Sequence, residues 1–255
     1  MDLITVKSGS SGNCYFLHDD NGHYLMLDCG ERVKWKNEIL VGCKHKVGMV
    51  DAMLCTHIHS DHLPKVKLLQ NNGIPVYSSD EVHTFVRETQ GELIKAMPEK
   101  SIQFIRGGWK CVPWYVPHTD VESDGIKCFA YYIESPTKYR AVYITDFLYS
   151  PVVFKSLKPQ LILVACNHDD ELDGEEDPAK VKHIVTGHSS LSTVKRLIKA
   201  NMTNELRNVV LCHLSSRNAT PSVMLKEIQE VVGDSVTVSI ANDGEKINLT
   251  RKDAQ

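Results

Sequence analysis

The stretch THIHSDHLPK at residues 56–65 places three histidines and one aspartate within six positions. Side chains two apart in an extended segment lie on the same face, so His57 and His59 can bind one ion together. Asp61 and His62 come where the chain turns toward the next helix, and they can face a second ion beside the first. Imidazole and carboxylate at this density favour Zn²⁺, Mn²⁺ or Fe²⁺ over Mg²⁺ and Ca²⁺, which prefer all-oxygen ligands. The alternative is a histidine-rich surface loop without a metal.

Further polar residues follow strand-like apolar runs, as the cluster itself follows VDAMLCT. They are His118 after WYVP, Asp146 after VYIT, Asn167 after LILVAC and His213 after VVLC. Polar side chains on loops at strand ends, held by a rigid sheet, are a recurring design of active sites. The pattern therefore predicts chemistry at the strand ends.

Strand and helix patterns alternate along the whole chain, which predicts two sheets or one mixed sheet with outer helices. The turn DDNG at 19–22 predicts a hairpin, and Pro64 is predicted to lie in the first turn of a helix. Helices are predicted near 31–42, over 63–70, 80–90, 192–201 and 221–233, with a short one near 151–157. We find no repeat or linker, so we expect a single domain over 1–255, built from two related halves, roughly 1–125 and 126–255.

The composition is that of an ordinary globular protein, with 42 % hydrophobic and 24 % charged residues among 255. No apolar run approaches the ~20 residues needed to cross a bilayer, and we see no signal peptide. We therefore expect a cytoplasmic protein with no membrane partner. Eight cysteines without a CxxC pair indicate buried reduced thiols, the alternative being a regulatory or metal-binding thiol. A net charge of −3 does not indicate broad phosphate neutralisation along a duplex, although a small patch or a metal can attract one phosphate.

The HxHxDH pattern of residues 57–62 resembles the signature of the metallo-β-lactamase superfamily, and later motifs follow in the matching order. The resemblance implies an α+β fold, an αββα sandwich of two mixed sheets flanked by helices. It also implies two divalent metal ions, zinc or manganese, with iron a third option. Their implied ligands are His57, His59 and His118 at one ion, Asp61, His62 and His213 at the other, and Asp146 between them.

Within the superfamily, the chain resembles the YycJ/WalJ-like group, and its late motifs also resemble those of tRNase Z. The matching motifs are SGSSGNCYFL (8–17), LDCG (27–30), ACNHD (165–169), GHSS (187–190) and HLSSRN (213–218). Both relatives imply phosphodiester hydrolysis, and the first implies exonuclease action on DNA rather than RNA. The chain departs from that group in having Phe147 and Leu148 after Asp146, where glycine is usual, and Leu191 in place of asparagine.

Other branches of the superfamily match less well. Asp146 stands where zinc β-lactamases carry cysteine, and His62 where they carry arginine, which argues against antibiotic hydrolysis. His59 stands where flavodiiron proteins carry glutamate, which argues against redox chemistry. Only 67 residues separate Asp146 from His213, too few for the cap domain of RNase J-like nucleases. The acidic loop at 169–177 argues against specific tRNA processing.

The resemblance implies attack of a metal-bound hydroxide on phosphorus, because paired metal ions acidify water and neutralise phosphate oxygens. We predict Asp61 and His188 as catalytic residues. His188 either donates a proton to the leaving oxygen or clamps a phosphate, the alternative being a packed or capping histidine. The candidate substrate contacts, each with a structural alternative, are Ser10, Asn13, Asn167, His168 and Ser215. Asn167 and His168 either contact substrate or support the metal ligands.

Two motifs allow two interpretations each. SGSSGN fits a phosphate-binding backbone cradle or a tight β-turn. Trp109, Trp114 and Tyr115 fit base stacking or, as alternation in a strand favours, core packing. Two other functions remain open. One is a hydrolase of small substrates such as cyclic nucleotides, lactones or thioesters. The other is a non-enzymatic regulatory or binding protein on the same fold.

Overall fold

The computed structural model describes residues 1–34, 47–118, 127–171 and 187–249. Within these ranges, fourteen strands form two sheets of seven. The strands are β1 (Asp2–Lys7), β2 (Cys14–His18), β3 (Tyr24–Leu27), β4 (Val50–Leu54), β5 (Val76–Ser78), β6 (Lys95–Ala96), β7 (Gln103–Ile105), β8 (Trp109–Pro117), β9 (Lys127–Glu134), β10 (Arg140–Ile144), β11 (Leu161–Ala165), β12 (Asn208–Cys212), β13 (Thr237–Ile240) and β14 (Lys246–Asn248). The helices are α1 (Val66–Asn71), α2 (Asp80–Gln90), α3 (Leu191–Asn201) and α4 (Pro221–Val232).

The first sheet has the strand order β14-β1-β2-β3-β4-β5-β6. Pairing is antiparallel from β14 through β3 and parallel from β3 through β6, so the sheet is mixed. The predicted hairpin joins β2 to β3, where Asp19 Oδ1 accepts the backbone N–H groups of Asn21 and His23. Parallel pairing of β3 with β4 brings the chain segments that follow these two strands to the same sheet edge.

The second sheet has the order β13-β12-β11-β10-β9-β8-β7, with β10 to β13 parallel and β7 antiparallel to β8. The strands β11 and β12, LILVA and NVVLC, are buried at every position. Such unbroken apolar runs are typical of parallel strands covered on both faces. They form the rigid centre from which the polar residues after each strand project.

Helix ends follow ordinary capping chemistry. Ser79 accepts the Val82 N–H at the start of α2, and Ser190 accepts the Thr193 N–H at the start of α3. Gly91 ends α2 in the left-handed conformation, φ 68°. The prediction for Pro64 is wrong, because α1 begins at Val66 with Lys65 as its N-cap, so the proline precedes the helix.

Two further predictions differ from the structure or lie outside it. The segment near 151–157 forms only a one-turn 3₁₀ helix, Lys155–Leu157. Strand β6 was not predicted, because two residues are too few for an alternating pattern. The helix predicted near 31–42 and most of the acidic loop at 169–177 lie outside the described residues.

The chain separates into two compact units that interleave along the sequence. Unit 1 takes its described residues from Met1–Pro113, Tyr132–Tyr139 and Asn242–Gln255, and unit 2 from Trp114–Tyr131 and Arg140–Ala241. The organisation as one domain of two related halves stays a prediction. The seven cysteines within the described ranges are all buried and form no disulfide with one another, as predicted for reduced thiols. Among the described helices, none is long and apolar enough to cross a membrane.

Candidate metal-binding residues of the two units

In unit 1, parallel pairing sets Asp28 beside the histidine-rich loop. Leu27 of β3 is in register with Leu54 of β4, and the Asp28 N–H donates to the Leu54 carbonyl at 2.9 Å. Asp28 has φ +50°, a left-handed conformation that is uncommon outside glycine and that aspartate tolerates better than most residues. The turn at Asp28 therefore begins where β3 ends, at the level where β4 leads into the loop.

The Asp28 carboxylate is completely buried and organises the loop. It accepts hydrogen bonds from the Thr56 N–H at 2.8 Å and the Thr56 hydroxyl at 2.9 Å, and it contacts His62 Nδ1 at 2.8 Å. Histidines that bind metals characteristically donate their other ring N–H to a carboxylate or carbonyl. A proton held at Nδ1 by Asp28 leaves Nε2 of His62 as a ligand atom.

His57 and His59 face each other as two ligands of one ion would. His57 Nε2 lies 3.0 Å from His59 Nδ1, and His57 Nδ1 lies 3.0 Å from the Thr56 hydroxyl. His57 is completely buried, whereas His59 is half-buried. Two imidazole nitrogens this close, with the far nitrogen of His57 occupied by a hydroxyl, suit chelation of a divalent cation.

The carbonyls of the loop are held by a neighbouring segment. The Asn13 N–H donates to the Asp61 carbonyl at 2.7 Å, and the Cys29 N–H donates to the His62 carbonyl at 3.0 Å. A Cβ added at Gly30 would lie 2.4 Å from the Asp61 carbonyl oxygen, so only glycine allows this approach. The backbone position of Asp61 is thus fixed from two sides.

Asn13, predicted as a substrate contact, is completely buried against the same loop. Its Nδ2 lies 3.3 Å from Asp61 Oδ2 and 3.1 Å from His62 Nε2, and its Oδ1 accepts the Gly9 N–H and the Tyr15 hydroxyl. Asn13 therefore holds ligand side chains in place. Its contact with substrate stays a prediction.

The SGSSGN stretch has the geometry of the tight turn. The Gly12 N–H donates to the Gly9 carbonyl, while the N–H groups of Ser8, Gly9 and Asn13 are each taken by protein oxygens. These engaged donors favour the turn over the phosphate cradle. Ser10 is exposed at the tip of the turn.

In unit 2, the candidate residues are far apart in the sequence, and the pairing register of the strands brings them together. Ile144 of β10 pairs with Val164 of β11, and Val164 pairs with Leu211 of β12. Asp146 lies two residues after Ile144, and His213 lies two residues after Leu211, so this register brings both residues to the same edge of the sheet. Both have left-handed backbones, φ +40° and +53°. Strained conformations of this kind concentrate at functional sites.

The side chains of this set lie within reach of a common ion. His213 Nε2 lies 3.5 Å from Asp146 Oδ2, and His118 and Asp146 each offer a ligand atom within 4.8 Å of the other. His118 Nδ1 contacts the Gly187 carbonyl, which leaves Nε2 as its ligand atom. All three residues are at least 96 % buried, so water screens their charges little.

Asn167 is the residue that holds this set together. It is 5 % exposed, and its Nδ2 lies 3.3 Å from Asp146 Oδ1, 3.2 Å from His213 Nδ1 and 3.1 Å from the His213 carbonyl. Its Oδ1 accepts the N–H and hydroxyl of Ser189. Because protein groups occupy both ends of the amide, Asn167 positions ligands, and its predicted substrate contact is not tested by this geometry.

His188 is more exposed than the Asp146 and His213 side chains beside it. Its side chain is 22 % exposed, and its Nδ1 lies 3.4 Å from Asp146 Oδ1. Ser189, next in sequence, is fixed to Asn167, and Ser190 caps α3. The imidazole of His188 is therefore both accessible and held beside a candidate ligand, as a proton donor or phosphate clamp requires.

The other two predicted contacts of unit 2 take part in loop structure. His168 is 4 % exposed, and its Nδ1 lies 2.6 Å from the Asp169 carbonyl. The Ser215 hydroxyl accepts the N–H groups of Arg217 and Asn218, while its own N–H donates to the Asn167 carbonyl. Roles of His168 and Ser215 in substrate binding stay predictions.

Two cysteines next to the candidate ligands have thiols of raised pKa. Burial raises the pKa of the Cys55 thiol well above its ordinary value, and the nearby Asp28 carboxylate adds to the effect. Burial likewise raises the pKa of Cys166. Both thiols are therefore protonated near neutral pH in the metal-free protein.

Sequence reasoning missed Asp28, whereas for Asn167 it had named support of the metal ligands as the alternative to substrate contact. The LDCG motif contained a signal for Asp28, a carboxylate directly after an apolar run, but its partner His62 is 34 positions away. The base-stacking alternative is wrong for Trp109 and Trp114, which are buried at 0 and 3 % exposure. The Trp109 indole donates to Asp51 Oδ2 at 2.9 Å, and Tyr115 packs on Phe129 with ring centres 4.5 Å apart.

Comparison with known proteins gives one family. The family model described as the metallo-beta-lactamase superfamily matches residues 8–193. The exodeoxyribonuclease WalJ of Streptococcus pneumoniae, in two strains, is 34 % identical over 77 residues. That match spans 30 % of this chain and 28 % of the relative's length.

Solved structures show the same fold at low sequence identity. The metallo-beta-lactamase fold protein YhfI of Bacillus subtilis is 18 % identical, with a TM-score of 0.70 over 96 % of this chain and 98 % of that one. Zn²⁺-bound PqqB of Methylobacterium extorquens is 14 % identical, with a TM-score of 0.68 over 97 % and 100 %. The predicted fold class is confirmed as α+β of the metallo-β-lactamase type, with two mixed sheets.

Proposed function

Because this chain belongs to the metallo-beta-lactamase superfamily, we propose that it is a metal-dependent phosphodiester hydrolase, most specifically an exonuclease acting on DNA. The observation that carries the proposal is the placement of His188, whose Nδ1 lies 3.4 Å from Asp146 Oδ1. Cleavage of a sugar–phosphate bond requires a proton for the leaving oxygen, and an accessible imidazole beside a candidate metal ligand can supply it. The local identity with an exodeoxyribonuclease supports DNA as the substrate.

We assign two divalent ions to seven residues, following the arrangement of the family. The first ion is assigned to His57, His59 and His118, the second to Asp61, His62 and His213, and Asp146 to both. The donor chemistry fits, because His57, His62 and His118 each have their second ring nitrogen against a hydroxyl, a carboxylate or a carbonyl. Zinc or manganese suits these donors, and iron is a third option.

When bound, such a pair of ions supplies an activated water and neutralises phosphate oxygens. The protein's own groups position the ligand atoms and supply the proton for the leaving oxygen. Asp61 and Asp146 offer carboxylates with fixed backbones, so they are in place before substrate arrives. Since Nδ1 of His188 lies against Asp146, Nε2 is the nitrogen that can pass a proton to the leaving oxygen.

A second candidate function is hydrolysis of a small phosphodiester such as a cyclic nucleotide. The net charge of −3 favours it, because proteins that hold long nucleic acids usually carry a basic surface. Lactone hydrolysis has less support, because the GHSS and HLSSRN motifs favour phosphodiesters. Thioester hydrolysis has less support, because a thiolate leaving group needs a proton donor less than an alkoxide does. A regulatory role without catalysis predicts normal function in a variant that binds no metal. We place the protein in the cytoplasm, as the sequence predicts.

The first experiment is cleavage of 5′-labelled single- and double-stranded DNA and RNA with added Mn²⁺ or Zn²⁺. We expect mononucleotide release from DNA, and none from an Asp61→Ala variant purified in parallel. Release from RNA alone would correct the choice of polymer. If metal-loaded protein cleaves neither polymer but hydrolyses a cyclic nucleotide, the nuclease proposal is wrong and the second candidate replaces it.

The role of His188 is tested by comparing two leaving groups. Replacing it, His188→Ala, removes the proton donor, so we expect DNA cleavage to fall about 10²–10⁴-fold. Hydrolysis of a p-nitrophenyl phosphodiester, whose leaving group needs no proton, is expected to change less than fivefold. Equal losses on both substrates would identify a phosphate clamp, and no loss on either would leave His188 a packing residue.

A further inference from the structure

A cavity of about 170 Å³ opens on unit 2 beside the segment that follows Asp146. Phe147, Tyr149 and Val153 form one wall, and Arg196 and Leu197 of α3 form the opposite wall. Phe147 of the first wall is one of the residues at which the chain departs from the YycJ/WalJ-like group. No role in the proposed chemistry has been assigned to these residues.

Both walls are continuous with residues of the candidate site. Phe147 directly follows Asp146, and Tyr149 is three residues from Asp146, which limits their Cα separation to about 11 Å. The other wall begins at Thr193, five residues after His188. The cavity is therefore lined by the segments that directly follow Asp146 and His188.

The rim of the cavity carries an exposed aromatic ring. Tyr149 is 59 % exposed and Val153 64 %, while Phe147 and Leu197 below them are buried. Exposed apolar groups beside a cleft commonly mark a binding surface. An aromatic face in this position can stack on a nucleobase of any sequence.

Positive charge lies on the opposite wall. Helix α3 carries Lys195, Arg196 and Lys199 and no acidic residue, in a chain whose net charge is −3. Lys195 is paired with Glu227 at 2.6 Å, whereas Arg196 Nη2 donates to the Thr193 hydroxyl at 3.0 Å, within the cavity wall. A planar guanidinium so placed suits contact with a phosphate oxygen.

The segment that carries Tyr149 is fixed at both ends. The Leu148 N–H donates to the Pro117 carbonyl at 2.9 Å, and the Phe154 N–H donates to Asn201 Oδ1 at 2.7 Å. Ser150 closes a turn with Val152 between these points. The cavity is thus formed before any ligand binds, which reduces the ordering cost of binding.

We propose that this cavity binds one nucleobase of the substrate, with Tyr149 stacked on the base and Arg196 contacting the adjoining phosphate. The inference rests on the proposed function, because it extends the substrate from the reacting phosphate to its neighbour. The volume is below the ~300–1,000 Å³ of sites for drug-sized ligands, which fits a single ring system. Such a local contact explains how an acidic protein can hold a nucleic acid without a broad basic surface.

The test is binding of a fluorescein-labelled single-stranded DNA 12-mer, measured by anisotropy on metal-free protein in EDTA, so that no cleavage is needed. We expect Tyr149→Ala to weaken binding about tenfold and Tyr149→Phe less than twofold, because the phenyl ring still stacks. The matched control is Phe104→Ala, an exposed aromatic of unit 1 (78 % exposed), which should bind like the unaltered protein. Arg196→Ala should lower the slope of log Kd against log salt by about 0.7.

A second arm uses a 12-mer of abasic residues, on which the Tyr149→Ala loss should vanish. Equal binding by Tyr149→Ala and the unaltered protein, or the same loss on the abasic strand, would overturn the inference. So would a failure of the unaltered protein to bind either the 12-mer or a mononucleotide. A Tyr149-dependent loss for a mononucleotide alone supports the base site and moves the proposed function to small nucleotides. A Tyr149-dependent loss without cleavage of any polymer upholds the base site and contradicts only the nuclease proposal.

Discussion

The two units assemble their candidate ligands by different means. Unit 1 draws its ligands from six consecutive positions, and a network around Asp28 and Asn13 orients them. Unit 2 draws its ligands from strand ends up to 95 residues apart, and the register of β10, β11 and β12 aligns Asp146 with His213. A local cluster depends on the conformation of one loop, whereas a dispersed set depends on correct pairing of a whole sheet. The two units should therefore respond differently to substitution.

The largest effect is expected at Asp28 in unit 1. Asp28→Ala leaves the buried Thr56 and His62 donors without their acceptor, so we expect a loss of about 3 kcal/mol in the free energy of unfolding. Metal affinity should fall about 10–100-fold, because the tautomer of His62 is no longer fixed. Urea unfolding of metal-free protein and competition with a fluorescent chelator measure the two effects. Unchanged metal affinity in Asp28→Ala would show that Asp28 is not needed to fix the tautomer of His62.

Asn167 is the matched residue of unit 2. Asn167→Ala removes one neutral amide that bonds to His213 and Ser189, so we expect a smaller loss of about 2 kcal/mol. Asp146 and His213, which follow different strands, both lose their contact with the Asn167 amide, and metal affinity should fall about tenfold. Urea unfolding of metal-free protein and competition with a fluorescent chelator again measure the two effects. A loss of stability larger than that of Asp28→Ala would reverse the comparison between the units.

Gly30 tests whether the unit 1 loop depends on its backbone neighbour. Gly30→Ala places a Cβ 2.4 Å from the Asp61 carbonyl oxygen, and we expect a loss of about 1.5 kcal/mol with displacement of Asp61. The control is Gly48→Ala, where nothing lies within 4 Å of the added Cβ. Thermal unfolding of both variants and of the unaltered protein measures the loss of stability. Equal melting temperatures would mean that the loop moves freely.

The smallest effect is expected at Asp170, which contacts the start of α3 in unit 2. Burial raises its pKa, but hydrogen bonds from the Ser192 N–H and from nearby serine hydroxyls outweigh this and lower it. A lowered pKa contributes stability above the unfolded value of about 3.9, and this stability is lost as pH falls through the folded value. Asp170→Asn should cost about 0.5 kcal/mol at pH 7, since solvent screens this exposed group. The melting temperatures of the variant and the unaltered protein should converge as pH falls below about 4, and a constant difference would contradict the assignment.

The same contrast explains what the sequence could predict. The cluster at residues 57–62 could be predicted because its members are close together in the sequence itself. His118, Asp146 and His213 were indicated by their positions after apolar runs, but the register that aligns them depends on pairing between distant strands. The left-handed conformations of Asp28, Asp146 and His213 were not predictable, because only glycine signals such a backbone in sequence. The exposed Tyr149 was missed since burial of an aromatic residue is decided by tertiary packing.

The pairing of β1 with β14 has a consequence for synthesis. The Asn248 side chain donates to Asp2 across a separation of 246 positions, within the antiparallel pairing of these two strands. At about 5–20 residues per second, a ribosome needs about 12–50 s to produce the second strand after the first. During that interval β1 has one unsatisfied edge, and the sheet that carries the histidine-rich loop is incomplete. In newly made chains β1 is therefore a temporary strand edge, open to aggregation until β14 pairs with it.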